Sequence, residues 1–157
     1  IKAASIYMFS YMIMNVAIFA ILLSLKVKNE YLINISDLKG LSKSNPIVSL
    51  SISIIMLSMA GIPPFIGFFG KFYVFIAAIE QELYVLSVLG VLASVISAFY
   101  YLRIIKIMYF DESKSEGIIN FQISFQSKII LSLSLFVIIC FIFYPSLLIN
   151  ISASLTI

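Results

Sequence analysis

One lysine in this sequence stands where a charge is costly. Between Ser44 and Ile79 the only charged side chain is Lys71, within Leu57-Ser-Met-Ala-Gly-Ile-Pro-Pro-Phe-Ile-Gly-Phe-Phe-Gly-Lys-Phe-Tyr-Val-Phe75. An ammonium at the centre of a bilayer costs about 2.5–3.5 kcal/mol on insertion scales, so it normally faces a protein interior or a wet cavity. In that setting it can take up and release a proton, which is ion-handling chemistry. Gly61, Pro63 and Pro64 break regular helix just before it. A titratable amine beside a broken helix is the arrangement that transporters use to bind ions at mid-membrane. The negative end of a half-helix dipole would offset the charged form. The plainer alternative is a lysine that snorkels to the interface from about 12 Å inside its helix.

Other polar or small residues recur at helical spacing. Tyr7, Tyr11 and Asn15 form a stripe every four residues on an apolar segment. They read either as part of a hydrated proton path or as interhelical glue, at about 0.6 kcal/mol per contact. Gly67, Gly70 and Lys71 share one helix side at i, i+3, i+4. The missing side chains leave room for water beside the amine or for close helix packing. Ser94 and Ser97 lie on a small-residue face that also includes Gly90, Ala93 and Ala98 and reads as a close helix contact, and Tyr101 after them marks the membrane edge. We take Lys71 as the proton-transfer residue. Tyr7, Tyr11, Asn15, Gly67, Gly70, Ser94, Ser97 and Tyr101 are candidates to support its path beside their packing roles, and Gly61, Pro63 and Pro64 form the helix break. Glu80 and Glu82 read as solvated helix-end carboxylates or as a proton exit.

The elements that must position these residues are hydrophobic helices. A membrane span needs about 20 predominantly apolar residues. The pattern predicts an all-α integral membrane protein, a polytopic bundle of about five transmembrane helices in a single transmembrane domain, one of them discontinuous. The spans fall at residues 3–25, 46–62, 65–80, 83–110 and 128–149. The second and third are short, and we expect them to be two helices joined by a tight turn, with irregularity near Gly67 and Gly70. One kinked helix is the alternative. Pro46 starts the second span, where proline suits a helix N-terminus, and Pro145 kinks or ends the last. With five spans, the lysine-bearing connections at 26–46 and 103–128 fall on opposite sides, and the positive-inside rule does not orient the chain.

Composition agrees. The 157 residues are 62% apolar and 11% charged, against about 45–50% and 25% in soluble domains. Mean hydropathy is +1.16. A net charge of +3, scattered over loops, gives no case for nucleic acid. Cys140, the only cysteine, lies in an apolar run and reads as a packing residue, and histidine is absent. We therefore expect no disulfide, no metal site and no cofactor on this chain. Asn34-Ile-Ser36 and Asn150-Ile-Ser152 match a glycosylation pattern, but we expect no sugar there. Lysine far outnumbers arginine, a bias that fits AT-rich coding. The chain opens on Ile1 with no leader pattern, and we expect a C-terminal fragment or a split-gene product.

The segment Leu57 to Phe75 closely resembles the hallmark of the subunit 2 family of respiratory complex I, called chain N in bacteria. Asp37-Leu-Lys-Gly-Leu41 resembles the loop before it, and Ser94-Val-Ile-Ser-Ala-Phe-Tyr-Tyr-Leu-Arg-Ile-Ile-Lys-Ile-Met-Tyr109 resembles the helix after it. The likeness runs over residues 5–110. It implies the last five of about fourteen helices of an antiporter-like, proton-translocating membrane-arm subunit of NADH:ubiquinone reductase. The family's broken twelfth helix carries a central lysine, matched by Lys71. The family's first repeat, with its other essential charges, has no counterpart here. The resemblance implies partner subunits that carry NADH, FMN, iron–sulfur clusters and quinone, an N-terminal companion chain, and a lipid bilayer. It implies the mitochondrial inner membrane, with the bacterial plasma membrane or thylakoid membrane as alternatives. The plastid homologue, a cation/proton antiporter subunit and a structural component without pumping are the other readings.

Overall fold

The computed structural model describes residues 2–23, 25–27, 30–31, 34–111 and 124–143. Lys28, the loop charges Glu112, Lys114 and Glu116, Pro145, the Asn150 pattern and the end of the last expected span lie outside them. Five helices carry the fold: α1 (Lys2–Leu22), α3 (Pro46–Ala60), α4 (Ile66–Glu80), α5 (Tyr84–Phe110) and α6 (Phe125–Phe143). Between α1 and α3 lie a two-residue antiparallel pairing, Lys26–Val27 with Glu30–Tyr31, a 3-10 turn at Ile35–Leu38, and the single-turn α2 (Leu41–Ser44).

Lipid-type solvation shows in what is inside and what is outside. The buried polar side chains include Ser10, Ser49, Ser51, Ser53, Ser58, Ser87 and Ser134. Their hydroxyls mostly donate to their own helix: Ser10 to the Ile6 carbonyl, Ser51 to Ile47, Ser53 to Ser49 and Ser87 to Leu83. Small residues let helix backbones approach closely where apolar burial gives no drive. Large apolar residues of α5 point outward instead, among them Leu92, Val95, Ile96 and Phe99. By length and composition α1 (from Ala3) and α5 are each long and apolar enough to cross a membrane.

α3 starts with Pro46 at its first turn and stops at Gly61, whose φ of 85° lies in the left-handed region. Glycine alone adopts that conformation without steric cost. α4 then runs unbroken from Ile66 to Glu80. The irregularity expected near Gly67 and Gly70 is not there. A glycine within a helix costs about 1 kcal/mol relative to alanine but does not end it when packing holds the turn. The interruption is confined to Gly61–Phe65.

The relation of α3 to α4 corrects the preferred reading of two spans that reverse. Along α5, Gly90 meets Phe75, and Ser94 meets Lys71, both from α4. Further on, the Ser42 hydroxyl, just before α3, donates to the Met108 carbonyl at 2.9 Å. At 1.5 Å per residue, Ser94 and Met108 are about 21 Å apart, which is the length of α3. So α3 runs against the second part of α5, and α4 continues in the same sense against the first. Each has 15 residues, about 22 Å, too short alone for a hydrocarbon core of about 30 Å. Together they lie end to end along α5, as in the kinked alternative of the sequence reading.

The same contacts correct the placement of the polar connections. Ser42 bonds to Met108, and the Lys39 ammonium lies 4.0 Å from the Asp111 carboxylate. The connection after α1 and the end of α5 are therefore at the same end of the bundle.

The interruption is held by close approach. A Cβ on Gly67 would fall on the Ser58 carbonyl, whereas one on Gly70 would sit 3.4 Å from Tyr7 Cα. Gly67→Ala is expected to destabilise the fold by about 1–3 kcal/mol, the range of overpacking, and Gly70→Ala by less. Thermal unfolding of the purified assembly and the amount of chain retained in membranes check the order. Equal stability of the two variants contradicts this packing.

Candidate functional site

The last four carbonyls of any α-helix lack partners within it. In α3 these belong to Leu57, Ser58, Met59 and Ala60. The turn closes the first two: Gly61 N–H donates to the Ser58 carbonyl at 3.0 Å and Ile62 N–H to that of Leu57 at 3.1 Å. The other two are met by a side chain from the next helix. The Lys71 ammonium donates to the Met59 carbonyl at 3.0 Å and to the Ala60 carbonyl at 3.2 Å. Its third donor reaches the Ser94 hydroxyl at 2.8 Å. An ammonium has three donors and no acceptor, and all three are used. It also sits at the negative pole of α3. Hydrogen bonds to a charged group are worth about 1.5–3 kcal/mol each, so three of them more than offset the insertion cost of the charge. The lysine does not snorkel.

Gly61 makes the reach possible. A Cβ there would lie 3.1 Å from Lys71 Cδ and 3.4 Å from Nζ. Pro63 and Pro64 form the exposed part of the turn. Ser58 ties the break to two neighbours. Its hydroxyl donates to Met14 Sδ on α1 at 3.1 Å and accepts the Gly67 N–H of α4 at 3.2 Å. The first N–H groups of α4 are orphans as well, and Ser58 satisfies one.

Lys71 opens on a cavity of about 450 Å³ between α1, α4 and α5. Tyr7, Ser10 and Tyr11 line it from α1, Gly67 and Lys71 from α4, and Ser94, Ser97 and Tyr101 from α5. The volume is large enough for several waters, and the hydroxyls offer the polar partners a water needs. The rings of Tyr7 and Tyr11 stack at 6.0 Å. Gly70 packs against Tyr7 and Ser10, giving α1 its close approach. The Ser97 hydroxyl donates to its own helix at Ala93. Among the described residues, no carboxylate lines the cavity, and no group of histidine, cysteine, aspartate and glutamate could hold a metal. Glu80 and Glu82 are exposed, at the end of α4 and the turn after it.

Asn15 is the expected path residue that the structure leaves out. Its amide donates to the Tyr11 carbonyl of its own helix at 2.8 Å, and it does not line the cavity. A period of four drifts on a 3.6-residue helix. At 100° per residue Asn15 is about 80° around from Tyr7, while Met14 is only about 20° away. The lining residues follow the true period: Tyr7, Ser10, Tyr11, Met14. That spacing was in the sequence. The Met59 and Ala60 carbonyls, Ser58 and the Phe75–Gly90 contact had no sequence signal beyond the broken helix.

A family model described as the transmembrane family of NADH:quinone oxidoreductase and Mrp antiporters matches residues 1–97. The chain is 54% identical over 113 residues to NADH-quinone oxidoreductase subunit N of Parvibaculum lavamentivorans, an alignment covering 72% of this chain and 23% of that protein. It is 46% identical over 157 residues to the subunit N of Pelagibacter ubique, covering 100% of this chain and 33% of that one. It thus spans a third or less of the length of these relatives. Among solved structures it resembles a chain of respiratory complex I from Thermus thermophilus with bound aureothin, with a TM-score of 0.77 at 22% identity over 95% of this chain and 34% of the other. A chain of the Mrp complex from Dietzia sp. DQ12-45-1b gives 0.73 at 22% identity, covering 96% and 36%. These two likenesses concern the fold.

Gly61→Ala is expected to cost roughly 1–2 kcal/mol for a left-handed non-glycine residue and to displace the Lys71 stem. A lowered Tm of the purified assembly, with Nζ moved off the Met59 and Ala60 carbonyls in a density map, is the expected result.

Proposed function

Because the chain belongs to the transmembrane family of NADH:quinone oxidoreductases and Mrp antiporters, we propose that it is the part of a proton-translocating membrane-arm subunit of complex I that carries the proton-binding lysine. It is a multi-pass membrane protein. The observation that carries the proposal is the Lys71 ammonium, held by the open carbonyl end of α3 and facing a hydroxyl-lined cavity. Water in that cavity is the source of the proton that the neutral amine takes up and its destination when the surroundings favour the neutral form. Tyr7, Ser10, Tyr11, Ser97 and Tyr101 hold that water and keep the route wet. Redox groups and quinone belong, in this proposal, to other subunits of an NADH:quinone oxidoreductase. The rest of the subunit, on this chain or on a companion, completes the path.

The crossings are α1, α3 with α4, α5 and α6. The polar end that joins Ser42 to Met108 then carries Lys26, Lys39, Lys43, Arg103 and Lys106, and the opposite end carries Lys2, Glu80 and Glu82. The positive-inside rule places the lysine-rich end in the cytoplasm or its organelle equivalent. The organisms of the relatives favour a bacterial plasma membrane; the mitochondrial inner membrane has compositional bias alone in its favour.

A second reading, proton exchange for a metal cation, draws support from the likeness to the Mrp complex. It expects sodium-dependent transport without quinone reductase activity.

Two outcomes follow. In the assembled complex in vesicles, Lys71→Ala is expected to lower NADH-driven proton translocation at least tenfold while the complex still assembles. An assembled variant with wild-type proton stoichiometry would falsify the transport role and leave a structural one. Single cysteines at Lys43 and at Glu82, in a chain with Cys140 replaced, are expected to react with a membrane-impermeant thiol reagent from opposite faces, Lys43 from the inside.

A further inference from the structure

The three partners of Lys71 are not equivalent. Two are backbone carbonyls, which only accept. The third, the Ser94 hydroxyl, both donates and accepts. With the amine protonated, its three N–H groups go to Met59, Ala60 and Ser94. A neutral amine keeps two N–H donors and gains a lone pair. The two carbonyls still use both donors, and of these three partners only Ser94 can donate to the lone pair. The amine's donors and lone pair are therefore all satisfied in both states if one hydroxyl reverses direction. A buried cluster left half satisfied in one state would lock the lysine in the other.

We propose that Ser94 is the direct proton-transfer partner of Lys71. The proposal rests on the reading of Lys71 as the proton carrier. In release, an Nζ–H bond breaks and that proton forms an O–H bond at Ser94 Oγ. The hydroxyl's original proton passes from Oγ to a cavity water. The proton received from Nζ stays on the line between Oγ and Nζ, where it becomes the hydrogen bond to the neutral amine. Uptake is the reverse. The net change is one positive charge moved from the lysine to water. Ser94 is placed for this, since with Lys71 it lines the main cavity; a shallower, apolar groove of about 280 Å³ bordered by α3, α4 and α5 meets the pair from the other side. Ser97 and Tyr101 follow Ser94 on the same face of α5 and continue the hydroxyl lining. The titratable groups lining these cavities with the amine are Tyr7 and Tyr11 on α1 and Tyr101 on α5; α3 contributes none.

The test uses Ser94→Ala, Ser94→Thr, Ser94→Cys and Lys71→Ala in the assembled complex, reading NADH-driven proton translocation in vesicles across pH. Ser94→Ala is expected to lower the rate about tenfold and to move the midpoint of the pH profile by roughly one unit, the effect of one hydrogen bond that differs between the two states. Ser94→Thr keeps the hydroxyl and is expected to restore at least half the rate and the wild-type midpoint. A purely structural serine would leave the midpoint in place. A Ser94→Ala complex with wild-type rate and profile overturns the proposal, as does a Ser94→Thr complex as impaired as Ser94→Ala. Should Ser94→Ala fail to assemble, a Ser94→Cys complex with wild-type rate and midpoint overturns it, because a thiol is a weak donor and acceptor. Wild-type translocation in Lys71→Ala instead overturns the transport reading itself, so the two failures are distinct.

Discussion

The interaction on which this fold and its site both depend is the meeting of one ammonium with the open end of one helix. An interrupted helix inside a bilayer leaves carbonyls that no water of the hydrocarbon core can reach, each costing several kcal/mol if unmet. A lysine in the same place carries a charge of comparable cost. Each defect removes the other: Lys71 closes Met59 and Ala60, and the negative pole of α3 receives the charge. The break and the lysine are thus one structural unit, with Gly61 providing the left-handed turn that brings them together.

Around that unit the bundle is built from small polar residues inside and large apolar residues outside. Ser58 shows why. In one position it satisfies an orphan N–H of α4, touches the Met14 sulfur of α1 and sits where Gly67 brings the α4 backbone against α3. A larger residue at either place would separate the two half-helices and carry Lys71 away from its carbonyls. Close packing by serine and glycine also leaves unfilled volume beside the lysine. Rings from α1 and hydroxyls from α5 border that volume without filling it. The polar interior is therefore a result of how helices associate in lipid, and the proton handling proposed above draws on the volume that this packing leaves.

The far end of the bundle is tied by ordinary surface chemistry. The half-exposed pair of Lys39 and Asp111 at 4.0 Å adds little stability by itself. The Ser42 bond to the Met108 carbonyl, with Leu38 and Leu41 buried beneath it, does more to hold the short helical turns against α5. These contacts fix the sense of α3 relative to α5, and from that follows which loops share a side.

From the sequence alone came the membrane environment, the helical class, the exceptional status of Lys71 and the position of the helix break. All of these are local: they follow from charge-free runs, from proline and glycine chemistry and from the cost of a charge in lipid. The hydroxyl faces of α5 and of early α1 were legible for the same reason, through helical periodicity. Where the spacing was read as four instead of 3.6, Asn15 replaced Ser10 and Met14. Tertiary structure alone decided whether the chain reverses or continues at Gly61–Phe65, because a turn's sequence permits both and only packing along the 27-residue α5 selects one. It also decided what Lys71 touches. Backbone carbonyls have no sequence signature, and Ser94, from a different helix, meets Nζ only once α3, α4 and α5 are in place.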